Sequence, residues 1–155
     1  MSFFKRLFQK NQPVEPIFPG ESFSILKLNM PEGLAFATVN KAYDRYKNKS
    51  YYPWLAGVEI QIIESNDNGH PTDSEAVRLN QIQEEFENLL KQKHTVHSVV
   101  RVTRRGFRDL FIYTDMPKLT QDEVTSYFDR ILKEREINFG FQADPYWKAV
   151  AGFIK

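Results

Sequence analysis

Residues 54–62 read WLAGVEIQI, 72–93 read TDSEAVRLNQIQEEFENLLKQK, 96–103 read VHSVVRVT, 107–114 read FRDLFIYT, 120–134 read TQDEVTSYFDRILKE and 137–141 read INFGF. The first stretch puts Trp54, Ala56, Val58, Ile60 and Ile62 on one face of a strand, because successive side chains alternate. The second repeats Ala76, Leu79, Ile82, Phe86, Leu89 and Leu90 at helical spacing, behind a capping box of Thr72 and Glu75. Arg104-Arg105-Gly106 separates the next two β-rich runs as a hairpin turn. A second box, Thr120 with Glu123, opens a helix carrying Val124, Tyr127, Phe128, Ile131 and Leu132, and Ile137, Phe139 and Phe141 alternate as a last strand. Strand, helix, strand, strand, helix, strand is the order of the ferredoxin-like split βαβ. The expected fold is α+β: an antiparallel four-stranded sheet with both long helices on one face.

Outward from this block, Pro145 is expected to begin a short C-terminal helix holding Trp147, Val150 and Phe153. On the N-terminal side, Ser22 to Leu28 reads as a strand in which Ile25, Leu26 and Leu28 do not alternate cleanly. Pro31 then opens an expected helix with the apolar face Ala35, Phe36, Val39, Ala42, Tyr43 and Tyr46, so the domain gains an N-terminal strand and helix. Pro13, Pro16 and Pro19 make Asn11 to Gly20 an extended linker. Before it, Phe3, Phe4, Leu7 and Phe8 share one side of a helix opposite Lys5, Arg6, Gln9 and Lys10. Such a basic amphipathic segment suits an anionic membrane surface or a partner's groove, or it folds back on the body. The chain divides accordingly into residues 1–20, segment and linker, and residues 21–155, one domain.

With 155 residues, 41% of them hydrophobic and 14% aromatic, the chain can bury one sizeable core. Cys is absent, which removes disulfides, thiol nucleophiles and thiolate metal sites. A net charge of +1 gives no global field for nucleic acid. The signs are uneven: residues 51–93 carry 3 basic and 8 acidic side chains, residues 94–155 carry 10 and 8, so an electrostatic site would be a local patch. No apolar run approaches the ~20 residues of a membrane-spanning helix, and the first residues lack the apolar core of a signal peptide. A cytoplasmic location is expected.

Three short motifs carry a resemblance: Gly69-x-Pro71 before the capped helix, Gly106-Phe107-Arg108-Asp109 followed by Phe111-x-Tyr113, and Asp144-Pro145-Tyr146-Trp147. Over about residues 20 to 155 the chain resembles the bacterial family known as domain of unknown function 695. Members tend to carry an aromatic three residues after that Trp, where this chain has Val150. Some are similar in their fused parts to the regulator of ribonuclease activity B, itself ferredoxin-like and acting by binding a protein. By analogy, the resemblance implies a regulatory role with no catalytic residue.

Several constellations invite chemistry. Glu64-x-Asn66-x-Asn68-Gly69, with Glu75 beyond, approaches the spacing of a calcium loop, yet the same residues make an Asn-Gly turn and a helix cap. His94 and His97 lie three apart, which on a strand points them to opposite faces, and His70 stands alone in a turn. Phe107, Phe111 and Tyr113 share one strand face, beside Arg101, Arg104, Arg105 and Arg108 as candidate phosphate contacts. That is the arrangement of an RNA-recognition sheet, although Arg108 and Asp109 break its signature. No nucleophile elbow or phosphate-cradling glycine loop is present. Asp144 ahead of Pro145 reads as a helix cap and Trp147 as its buried anchor.

The expected function is therefore binding of another protein, without cofactor or metal. RNA or single-stranded nucleic acid on an open sheet face is the second reading. Candidate partner-binding residues are Phe3, Phe4, Leu7, Phe8, Arg101, Arg104, Arg105, Phe107, Arg108, Phe111 and Tyr113, and the structural motif is Gly69, Pro71, Asp144, Pro145 and Trp147. If the 72–93 helix packs by its apolar stripe, Phe86→Ala should cost ~3–5 kcal/mol in urea unfolding.

Overall fold

The alternating stretches pair into a single sheet of six strands. The computed structural model describes residues 12–115 and 121–155. Its strands are β1 (Phe23–Met30), β2 (Gly33–Asn40), β3 (Trp54–Gln61), β4 (Val96–Arg104), β5 (Phe107–Thr114) and β6 (Ile137–Ala143), and its helices are α1 (Asp73–Lys91), α2 (Gln121–Ile131) and α3 (Ala151–Ile154). Short 3-10 turns at Lys41–Arg45 and Lys49–Tyr51 lead from β2 to β3. The order across the sheet is β1-β2-β4-β5-β3-β6, with every neighbouring pair antiparallel. Both ends of the sheet, β1 and β6, are edge strands.

Register assigns the faces, because residues directly opposite one another point the same way. Ile25, Thr38, Arg101, Leu110, Val58 and Phe139 form one continuous row across the sheet. Leu110, Val58 and Ile112 of this face pack with Leu79, Ile82, Phe86 and Leu90 of α1 and Val124, Phe128 and Ile131 of α2, so both long helices lie on the same side. No residue of β1 or β2 belongs to that cluster. The opposite face buries Ala35, Ala37, Val39, Val100, Val102 and Tyr113 under Tyr43, Tyr46, Trp147, Val150 and Ile154.

The N-terminal addition is a β-hairpin, and this corrects the expected strand and helix. Residues 35, 39 and 43 are spaced by four, which keeps them on one side of a helix but equally on one side of a strand. Two features decide for the strand: Gly33 leaves the β1 turn with a φ of 133°, and β2 is held on both edges, by β1 and by β4 from Phe36↔Thr103 to Val39↔Val100. The C-terminal helix also starts later than Pro145. Trp147 sits in a preceding turn with a φ of 53°, and α3 begins at Ala151. The second capping box lies partly outside the described residues, since Thr120 is not among them.

Glu75 does not complete the first capping box. Thr72 Oγ1 accepts from Glu75 N at 3.4 Å, but Thr72 N donates to Glu64 O instead of to the Glu75 side chain. That carboxylate turns inward to pair with Arg135 at 2.9 Å and to accept from the backbone of Ile63 and Glu64 at 2.5 and 2.8 Å. Burial would raise its pKa, but the Arg135 guanidinium and the two N–H donors outweigh burial and hold it below the usual carboxylate value. Glu75→Gln should therefore destabilise the fold by ~3 kcal/mol at pH 7, since it leaves Arg135 buried beside a neutral partner. A depressed folded pKa gives stability that is present above the unfolded value and lost as pH falls through the folded one. The difference between wild type and variant should therefore shrink on acidification below about pH 4 in denaturant titrations.

Candidate functional site

Two helices cover β3 to β6, and among the described residues the same face of the β1–β2 hairpin is bare. Phe23 and Ile25 on β1 are 62% and 73% exposed, and Leu34 on β2 is 40% exposed. Between this hairpin and α1 runs a cleft of about 250 Å³ lined by Phe23, Thr38, Gln83, Glu87, Ser98 and Arg101.

Arg101 of β4 lines the cleft, and Arg108 lies beside it on the neighbouring β5, outside the lining. Arg108 is only 4% exposed, and its Nη1 donates to Asn80 Oδ1 at 2.7 Å and its Nε to Thr103 Oγ1 at 3.3 Å. Arg101 donates to the same Asn80 oxygen at 3.3 Å and to Thr38 Oγ1 at 3.5 Å. Among the described residues neither guanidinium has a carboxylate within ion-pair distance. Burial, then the like charge of Arg101, pushes Arg108 down to about 10, and burial lowers Arg101 as well. Beside them Gln83 Nε2 and Ser98 Oγ donate to Glu87 Oε1 at 2.9 and 2.8 Å, while Gln83 Oε1 is buried without a hydrogen-bond partner.

The other sequence-selected residues are dispersed. Arg104 faces away from the helices, donating to Asp109 at 2.7 Å and to Glu59 at 2.5 Å, with its guanidinium 4.8 Å from the Phe107 ring. Arg105 is exposed at the β4–β5 turn and lies against Gly69, where a Cβ would come 2.4 Å from its Cγ. Gly69 therefore answers both to this approach and to a φ of 76°. Pro71 bridges Ser65 at the base of the same loop. The four arginines thus form no single basic patch. Tyr113 is fully buried, stacked on Trp147 with centroids 4.2 Å apart and donating to Asp144 Oδ2 at 2.6 Å, and Phe111 faces Phe153 at 6.0 Å. Phe107, Phe111 and Tyr113 consequently do not present an open stacking platform. Asp144, just before Pro145, accepts from Lys148 N and Ala149 N at 2.9 and 3.0 Å, and the Trp147 indole donates to Tyr52 O at 2.9 Å. Phe3, Phe4, Leu7 and Phe8 lie outside the described residues.

The calcium-like spacing does not gather its oxygens. Asn66 Oδ1 accepts from Asn68 N and His70 N, and Glu75 is held by Arg135. Among the described residues no three acidic or histidine side chains converge as a metal site would require, and no helix is long and apolar enough to cross a membrane. His94 pairs with Asp115 at 2.8 Å, whereas His97 lies on the helix-free face. There its Nδ1 is 2.9 Å from Tyr43 Oη and its Nε2 3.4 Å from Tyr46 Oη, among the rings of Phe18, Tyr52 and Trp147. Residues 14–18 are strapped over this cage, Tyr46 Oη donating to Ile17 O and Asn48 accepting from Val14 N.

Sequence reasoning missed Phe23, Asn80 and Gln83, and it read Ile25 only as an irregularity. The signal was present: Phe23, Ile25, Leu26 and Leu28 make both faces of β1 apolar, the mark of a strand with one face covered and one on offer. Asn80 and Gln83 are ordinary helix-surface residues until the hairpin is placed beside α1.

Set against known proteins, residues 25–154 match the model of a family described as "Family of unknown function (DUF695)". A search of curated proteins found no match.

Burial drives His97 down to about 4, with Asp115 opposing weakly. The sign follows from its neutral burial: stability is complete above the unfolded value near 6.5 and falls as pH drops toward 4, by on the order of 3 kcal/mol. Denaturant titrations from pH 7 to 4 should show this loss, and His97→Gln should flatten the profile.

Proposed function

The chain belongs to the DUF695 family, and from that starting point we propose that it is a non-catalytic module that binds another protein through β1 and the bare face of the β1–β2 hairpin. The observation that carries the reading is the pair Phe23 and Ile25, two residues apart on an edge strand and both more exposed than buried. Large apolar side chains set together on a free edge stand out from the singly scattered ones of an ordinary surface. Among the described residues β1 has no strand partner along its outer edge, so an extended segment of a partner can add to it by backbone hydrogen bonds while Phe23 and Ile25 seat its side chains. Lys27 on the same side favours an acidic flank in that segment.

We further read residues 54–143 as a ferredoxin-like unit. The order β4-β5-β3-β6, with α1 following β3 and α2 following β5, supports that reading, and the β1–β2 hairpin then extends the unit beyond β4.

The hairpin reading is tested with a photo-crosslinking side chain at position 25 of the full chain. A saturable crosslinked partner should appear and be displaced by unlabelled wild type, but not by the Phe23→Lys, Ile25→Glu double variant. The double variant's Tm should stay within about 2 °C, because surface changes move stability by only ~0.5 kcal/mol each. Crosslinks that the variant displaces as well as wild type does would reject this surface.

A further inference from the structure

We propose that the cleft between the β1–β2 hairpin and α1 binds a single oxyanion group, held at the Arg101 guanidinium with Arg108 behind it. The inference does not depend on a protein docking along β1. Buried guanidiniums are ordinarily paired with carboxylates, because an uncompensated buried charge is costly. Here Arg108 is buried and Arg101 half-buried on the adjacent strand; they share the Asn80 oxygen, and each donates to one hydroxyl, Arg101 to Thr38 and Arg108 to Thr103. A guanidinium has five N–H donors, and each of these uses two in the described contacts. An oxyanion entering over Arg101 would take up the remaining donors in the forked geometry that suits phosphate and carboxylate alike.

The walls set further terms. Glu87 brings one negative charge to the cleft, but its Oε1 is held by Ser98 and Gln83, so with Arg101 and Arg108 the local balance stays positive. Gln83 Oε1 is buried and closed off from the cleft, and Gln83 Nε2 is held by Glu87, so a ligand's polar contact is with Arg101. A phosphate offers that guanidinium more oxygens and more charge than a carboxylate does. Phe23 forms an apolar lip on which the remainder of a larger ligand can rest.

The test uses the full chain at pH 7, titrated with sodium phosphate or sodium acetate against sodium chloride at equal ionic strength. Phosphate at about ten times its Kd should raise Tm by about 3–5 °C, acetate less, and the amide resonances of Ser98 and Arg101 should shift in the same titration. Arg101→Gln should abolish both responses, while the surface control Lys133→Gln retains them. A response to either anion that is lost in Arg101→Gln supports the oxyanion site, the stronger anion naming the ligand class. No response beyond chloride, or an equal response in Arg101→Gln, overturns it. Should Arg101→Gln fold poorly, Asn80→Ala, which loosens both guanidiniums without removing a charge, should weaken the phosphate response several-fold, and an unchanged response there overturns the proposal.

Discussion

A width mismatch between helices and sheet governs this structure. A packed helix is about 10 Å across and strands lie about 4.8 Å apart, so two helices side by side cover roughly four strands. The sheet has six. The helices α1 and α2 sit over β3 to β6, where their apolar stripes meet Val58, Leu110, Ile112 and Ile137, and no described helix lies above the β1–β2 hairpin. Among the described residues its bare side is therefore a consequence of geometry: two helices are too narrow to reach it.

The opposite face meets the same mismatch from the other end. It has no long helix and is closed by short pieces, the 3-10 turn at Lys41–Arg45, the Trp147 turn, α3 and the strap of residues 14–18. These cover β2, β4 and the C-terminal half of β5. Past them, Gly57, Glu59, Asn138 and Gly140 remain outside the cluster, and a Cβ on either glycine would meet open space. The covers on the two faces are thus offset, and β5 is buried under both, by Leu110 and Ile112 beneath the long helices and Tyr113 beneath the Trp147 turn. Tyr113 shows how firmly the second cover is fastened: its ring stacks on Trp147, its hydroxyl donates to Asp144, and Asp144 in turn accepts two backbone N–H groups of the turn that holds Trp147.

Periodicity carried the reading where it was unambiguous. β3 with its four alternating apolar residues, α1 with its stripe and the alternation of Ile137, Phe139 and Phe141 were legible because each follows one of the periods 2 and 3.6 and not the other. Residues 35–46 were misread because spacings of four satisfy both periods. Glu75 was misread because a capping box and an inward ion pair place the same residue type at the same position, and the partner, Arg135, is sixty residues away. The arginines of β4 and β5 look like one basic cluster along the chain. In the sheet, strand alternation sends Arg104 to one face and Arg101 and Arg108 to the other, a separation that needs the register of Arg101↔Leu110 and Thr103↔Arg108 to be known.

Two buried guanidiniums are treated differently, and the contrast bears on the proposed site. Arg135 is as buried as Arg108, yet it is met by Glu75, by Glu134 and by the carbonyl of Gln61, a full complement that makes its burial a matter of stability. Arg108 has only an amide oxygen and a hydroxyl, and the like charge of Arg101 acts on it more strongly than the opposite charge of Glu75. Packing does not force this arrangement, since an apolar residue at 108 would extend the Val58 and Leu110 surface and be cheaper to bury. A destabilising charge kept beside an uncovered hairpin and an open cleft is the pattern of a site whose compensation arrives with its ligand. By that contrast the bare side of β1 and β2 is where the proposed function and stability part company.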